Sequence, residues 1–127
     1  MRQVSCQPQD DMIRNLTRDT VLAAAAERCD SVFSRGRGLM FHRPLREGEA
    51  LLFPFSREQR PWIHMLLVFF PVDMVFLSSE GKVAHLATAK PFQLRIVPPV
   101  PVTALIELPQ WAIAKSRTSL GDRIAIS

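Results

Sequence analysis

The chain has 127 residues, a net charge of +4, 47% hydrophobic residues and 22% charged residues. That length suits one domain with a sizeable core, burying roughly two-thirds of its unfolded surface. No run reaches eighteen uninterrupted apolar residues, so no membrane-spanning helix is expected and no membrane role is assigned.

Arginine supplies 13 of the 16 basic residues, and seven of them fall between Arg28 and Arg60 against four acids. The basic balance is diluted by acids and contains no Lys/Arg run or interleaved exposed aromatics. It argues against a nucleic-acid partner and for an Arg-rich, solvated surface. Two cysteines, Cys6 and Cys29, do not make a disulfide framework at this length. Reduced thiols in a cytoplasmic protein are the expectation. The start, MRQVSCQPQDDM, has no apolar signal core and does not support secretion.

Residues 1–11 read as a tail or an extra edge strand, and residues 12–127 as one β-sandwich domain. Asn15 to Asp19 is turn-like. The run Leu22-Ala-Ala-Ala-Ala-Glu27 is helical by propensity, although four alanines also suit a strand packed against something bulky. Asp30-Ser31 is a plausible N-cap for a short helix through Arg35, ended by Gly36 and Gly38. Ala50 to Phe53 reads as a buried strand stopped by Pro54, with a polar loop over Ser56 to Pro61.

The stretch WIHMLLVFFPVDMVFLSSEGKV, Trp62 to Val83, is too interrupted to span a bilayer. It divides at Pro71 into two apolar, strand-length runs, Ile63–Phe69 and Val72–Leu77. A hairpin turn over Ser79 to Lys82 returns the chain along Lys82 to Ala87. Lys90 to Phe92 and Ile96 to Pro101 are loops. Val102 to Glu107 is a strand, Trp111 to Arg117 a short helix, Ser119 to Asp122 a turn, and Arg123 to Ile126 a last strand. This spacing of short strands predicts a mainly β, antiparallel sandwich or jelly-roll-like barrel with one or two short helices.

Several segments fall in the order and spacing of a known family. They are Arg37-Gly38-Leu39-Met40, Arg43-Pro44-Leu45, Gly48 to Phe53, His64-Met65, Phe70 to Asp73, Val75 to Leu77, Gly81 to Val83, Leu105 to Pro109 and Gly121-Asp122. The chain resembles the uncharacterised bacterial and archaeal family known as domain of unknown function 192, from about residue 12 onward. The resemblance implies a mainly β jelly-roll type of fold. It also implies a strand over Thr20 to Glu27, against propensity, with the helix beginning near Asp30. The family's Trp-Met-x-Asn-Thr polar pair is replaced here by His64-Met65-Leu66-Leu67-Val68, and its Asp after Phe-Leu by Ser78. The resemblance lends no activity.

The sharpest chemical candidates are His64 and Asp73. A neutral imidazole oriented by a carboxylate makes an acid–base unit. Each also suits a quieter role, satisfying backbone groups at the ends of buried strands. Arg37, Arg43 and Arg46 flank the Gly36-Arg37-Gly38 turn and could hold an anionic small molecule; pairing with Glu47 and Glu49 is the alternative. His42, His64, His85 and the cysteines are scattered, so neither a metal nor any other cofactor is expected. Met40, Met65 and Met74 read as core filler. Trp62 and Trp111 either cap the sandwich or serve as binding anchors. The favoured expectation is a non-enzymatic binding or accessory module. An enzyme centred on His64 and Asp73 is the first alternative, and an interaction scaffold or edge-strand homodimer the second.

Overall fold

The computed structural model describes residues 6–29 and 43–127, with side chains from Asp11 onward. The expected helix from Asp30, the Gly36-Arg37-Gly38 turn, His42 and Arg37 itself lie outside the described residues.

Seven strands form one sheet: β1 (Cys6–Asn15), β2 (Thr20–Cys29), β3 (Glu49–Gln59), β4 (Val72–Leu77), β5 (Val83–Ala89), β6 (Val102–Pro109) and β7 (Ile124–Ile126). Their order is β5-β4-β6-β3-β2-β1-β7. β1 therefore stands inside the order, between β2 and β7. Every pairing is antiparallel except β2 with β3, so the sheet is mixed. It curls until the β4–β5 turn meets β7: Val83 N–H donates to Asp122 O at 2.8 Å and Ile124 N–H to Gly81 O at 2.9 Å. The result is a mainly β half-barrel, with one short helix among the described residues, α1 (Ala112–Ser116).

The two faces of this sheet carry separate cores. Ile13, Leu22, Leu77, Val83, Ile106 and Ile124 come from both ends of the strand order and meet inside the curl. Leu51, Phe53, Met74, Phe76 and Leu105 form the other core, on the outer face. Ile63, Met65, Val68 and Ile96 close over it from the loops. Strands buried on both faces read as nearly continuous apolar runs, as β4 does, with all six residues buried and Asp73 its one polar member.

The alanine run is a strand, not a helix. Ala25 and Ala26 register with Glu49 and Ala50, and Ala23 and Ala26 lie in the inner core. Tertiary pairing overrides helix propensity here. β3 runs on through Pro54 to Gln59, correcting the expected stop at Pro54 and the loop after it. β2 pairs with β3 only as far as Leu52. Beyond that point no described residue pairs with that edge of β3, where a proline without an N–H is tolerated.

Ile63 to Phe69 is not a strand. Only an isolated bridge, Ile63 with Ile96, survives there. Leu67 sits at φ 59°, which turns the chain out of an extended path. The hairpin turn matches expectation, with Gly81 at φ 75° taking the left-handed position of the Ser78–Lys82 turn.

Reduced cysteines are also corrected. Cys29 is disulfide-bonded, and its Cα partner across β1 and β2 is Cys6, the chain's other cysteine. Antiparallel register brings such a pair to the Cα separation that a disulfide needs. A count of two cysteines carries no information about register.

Candidate functional site

Asp73 begins β4 and faces the helix. Its Oδ1 accepts from the Thr88 hydroxyl at 2.9 Å and its Oδ2 from the Ile113 N–H at 3.0 Å. α1 has no side-chain cap of its own, because Trp111 stands before it at φ 82°. A carboxylate from another strand therefore satisfies a free amide of its first turn. His64 is half-buried in the loop on the outer face, and its Nδ1 accepts from the Leu66 N–H at 3.3 Å. No hydrogen bond joins His64 to Asp73 among the described residues.

Arg43 and Glu49 form a two-pronged pair at 2.8 Å for each bond, and the Arg46 N–H donates to the same carboxylate at 2.7 Å. The Arg43 hydrogen bond, supported by the Arg46 amide and both charges, outweighs desolvation and brings the Glu49 carboxyl down to about 2. Glu49 in turn raises the Arg43 guanidinium. Arg43 is thus already held by a carboxylate, while Arg46 is exposed and precedes the Glu47-Gly48 turn.

That turn borders a cleft of about 500 Å³ between β2 and α1. Leu22, Ala24, Pro109 and Ala112 give it an apolar lining. Ala24 is exposed there because its methyl group leaves the space open. Gly48 lies at φ 90°, where a side chain would be strained. Its carbonyl accepts the N–H groups of both Ala24 and Ala25, each at 2.9 Å. Glu47 and Lys115 approach across the mouth at 3.6 Å, both well exposed. The Thr20 and Ser116 hydroxyls are spent on backbone carbonyls, Ser116 O and Ala112 O. Lys115 and Gln110 remain as the polar groups open to a ligand.

Two other buried acids matter to the site. Below the cleft, Asp122 Oδ2 accepts from Asn15 Nδ2 at 2.9 Å, Ser119 N–H at 2.9 Å and Arg18 Nε at 3.1 Å. Asn15 also donates to Thr118, which bonds Ser116. Burial pushes the Asp122 carboxyl up, but these three donors and the Arg18 charge together hold it below its usual value. Glu107 is the reverse. It registers with Leu51 and Met74 on the outer-core face, is 1% exposed, and its Oε1 has no hydrogen-bond partner. Burial pushes its carboxyl up to about 8. Burial thus favours its protonated, neutral form.

Sequence reasoning did not single out Glu107, Lys115, Gln110 or the cleft. One signal for Glu107 was present: a lone acid in VTALIELP, apolar on both sides of the strand period. Among the described residues no group of three His, Cys, Asp or Glu side chains gathers as a metal site. No helix there is long and apolar enough to cross a membrane.

A curled, mainly β half-barrel with a side cleft defines the class. Residues 14–126 match the model of domain of unknown function 192, described as uncharacterized ACR. The chain belongs to that family, in agreement with the resemblance of its segments. It is 28% identical over 113 residues to a UPF0127 protein of Thermococcus sibiricus, covering 89% of this chain and 73% of that one. A UPF0127 protein of Pyrococcus furiosus is 27% identical over 110 residues, covering 87% and 93%.

Two crystal structures share the fold. One, titled a putative transcription regulator from Sinorhizobium meliloti, has a TM-score of 0.84 at 23% identity, over 98% of this chain and 97% of that one. A protein of unknown function from Novosphingobium aromaticivorans has a TM-score of 0.80 at 20% identity, over 94% and 84%.

Proposed function

We propose that the chain is a non-enzymatic binding module that takes a small, largely apolar molecule with one anionic group in the cleft between β2 and α1. The observation that carries this reading is the cleft itself. Its volume of about 500 Å³ is that of a small-molecule site. Leu22, Ala24, Pro109 and Ala112 supply apolar wall among polar neighbours, and Lys115 and Gln110 can fix one polar end. The exposed ion pair of Lys115 with Glu47 is worth little in water, so an incoming carboxylate or phosphate replaces Glu47 at small cost. Arg46, exposed one residue before the turn, adds positive potential. Arg43 is already satisfied by Glu49. Nothing in the geometry favours the acid–base alternative, since both oxygens of Asp73 are committed to Thr88 and Ile113.

A thermal-shift screen of medium-chain carboxylates and organic phosphates tests this. The expected result is a rise in Tm that disappears in Ala24→Phe, which fills the cleft, and shrinks in Lys115→Ala. An equal rise in wild type and Ala24→Phe would remove the cleft as the site.

A further inference from the structure

Away from the cleft, two loops carry an unusual surface. Of the eleven large apolar side chains exposed among the described residues, five stand on the segments 60–70 and 90–96. They are Trp62 (68% exposed), Leu66, Phe69, Phe92 and Leu94 (61% exposed). The loops are bonded to each other. Ile63 and Ile96 exchange both backbone bonds at 2.9 Å, Met65 N–H donates to Gln93 O, and Phe92 N–H donates to Met65 O. Ile63, Met65, Val68 and Ile96 anchor them in the outer core, so their neighbours in sequence are turned outward. Phe69 and Phe92 meet edge to face at 5.1 Å. Leu67 and Phe92 both hold left-handed backbone, at φ 59° and 63°. That conformation is unfavourable for bulky residues, and here it serves to present apolar side chains at the surface.

Within the two segments the formal charge has one sign. Neither segment contains an acid, and Arg60, Lys90 and Arg95 are exposed. Each lies within two residues of an exposed apolar side chain. Among the described residues none of the three has a carboxylate partner; Arg60 Nε donates to Pro98 O. The one polar atom of Trp62 is already satisfied, its indole N–H donating to Leu94 O at 3.0 Å. The ring can therefore leave water without orphaning a donor.

From this arrangement we infer that the paired loops dock on an anionic lipid surface. Trp62, Leu66, Phe69, Phe92 and Leu94 enter the headgroup boundary, while Arg60, Lys90 and Arg95 reach the lipid phosphates. Interfacial anchors combine apolar burial with attraction to anionic lipid in this way. A second copy of the chain is a poor occupant, because two such faces would oppose six like charges. The contact is with the membrane surface and requires no spanning segment.

The test is co-sedimentation of the full chain with phosphatidylcholine vesicles, with and without phosphatidylglycerol. Expected are binding to the anionic vesicles, weakened by salt, and a blue shift of Trp62 emission measured in Trp111→Phe. Lys90→Glu with Arg95→Glu should weaken binding roughly tenfold or more. Trp62→Ser with Phe69→Ser should do the same while circular dichroism shows the fold retained, because both side chains are exposed. Absence of binding at low salt overturns the inference, as does binding that both double variants leave unchanged. Light scattering that shows a dimer lost in Trp62→Ser, with no vesicle binding, also overturns it and assigns the face to self-association. Selective capture of an acidic protein or an oligonucleotide, with vesicles ignored, overturns it in favour of that partner.

Discussion

Asp122 and Glu107 are both buried carboxyls in one small domain, and their surroundings push them in opposite directions. Asp122 gathers three donors, one of them the Arg18 guanidinium, and is held below its usual range. Glu107 registers between Leu51 and Met74, gathers no hydrogen bond at Oε1, and rises to about 8. Burial alone does not decide the charge of an acid; the donors within reach do. The first ties the β1–β2 turn to the chain beyond α1 and stiffens the base of the cleft. The second leaves a tension in the outer core that the fold tolerates.

The largest effect should come from Glu107. Its carboxyl ordinarily titrates near 4.5 and in the folded chain near 8. Between those values the folded chain keeps a proton that the unfolded chain has released. Stability therefore falls as pH rises through that window, with a limiting slope of about 1.4 kcal/mol per pH unit. Glu107→Gln should flatten the slope in denaturant titrations at successive pH values. Glu107→Met, apolar and similar in size, should raise stability at pH 8 by about 1–4 kcal/mol. An unchanged slope in Glu107→Gln would mean that another group carries it.

Next is Asp122→Ala, which strands Asn15 and the amide of Ser119 and should cost about 2–4 kcal/mol in urea unfolding. In wild type the stabilisation from Asp122 is present above about 3.8, its unfolded value, and is lost as pH falls toward its lower folded value. The two acids thus predict losses at opposite ends of the pH scale. If Asp122→Ala and Glu107→Met shift stability in the same direction at neutral pH, the contrast fails.

Asp73→Ala should cost about 1–3 kcal/mol by freeing the Ile113 amide. It should also loosen α1 and weaken any ligand of the cleft. Hydrogen exchange at Ile113 would report it directly, and unchanged protection there would argue against the capping role. The smallest change is expected from Arg43→Gln. NMR titration should show the Glu49 carboxyl rising from about 2 toward its ordinary value, with little change in Tm because the pair is exposed.

Where local chemistry dictated the outcome, the sequence was legible. The Glu80-Gly81 turn, the strands on either side of it, the short helix after Pro109 and the overall β class follow from turn residues and strand-length apolar runs. Two local readings have a common origin, although the family resemblance had already implied a strand for the alanines. Alanines 23–26 and the run Ile63–Phe69 both obey local patterns that the sheet overrides. It recruits the alanines through register with β3, and it leaves Ile63–Phe69 as a cover held by one bridge to Ile96. The candidate site was less visible. The Arg43–Glu49 pairing was one of two readings that nearby charges allowed. The cleft was not readable, because its walls come from residues 20–24, 47–48 and 109–116, which no short-range motif connects. The Cys29 disulfide likewise depends on a register set by the β1–β2 turn.

The pairing of β1 with β7 has a temporal consequence. Ile13, Arg14 and Asn15 find their partners only at Ile126, Ala125 and Ile124. During synthesis, β1 can pair with β2 within moments of emerging, yet its other edge stays bare until more than a hundred further residues have been added. Asn15 waits just as long for Asp122 and Thr118. Until β7 emerges the nascent chain therefore carries an open strand edge and a carboxamide N–H group bonded only to water, and closure of the curl is a late, cooperative event.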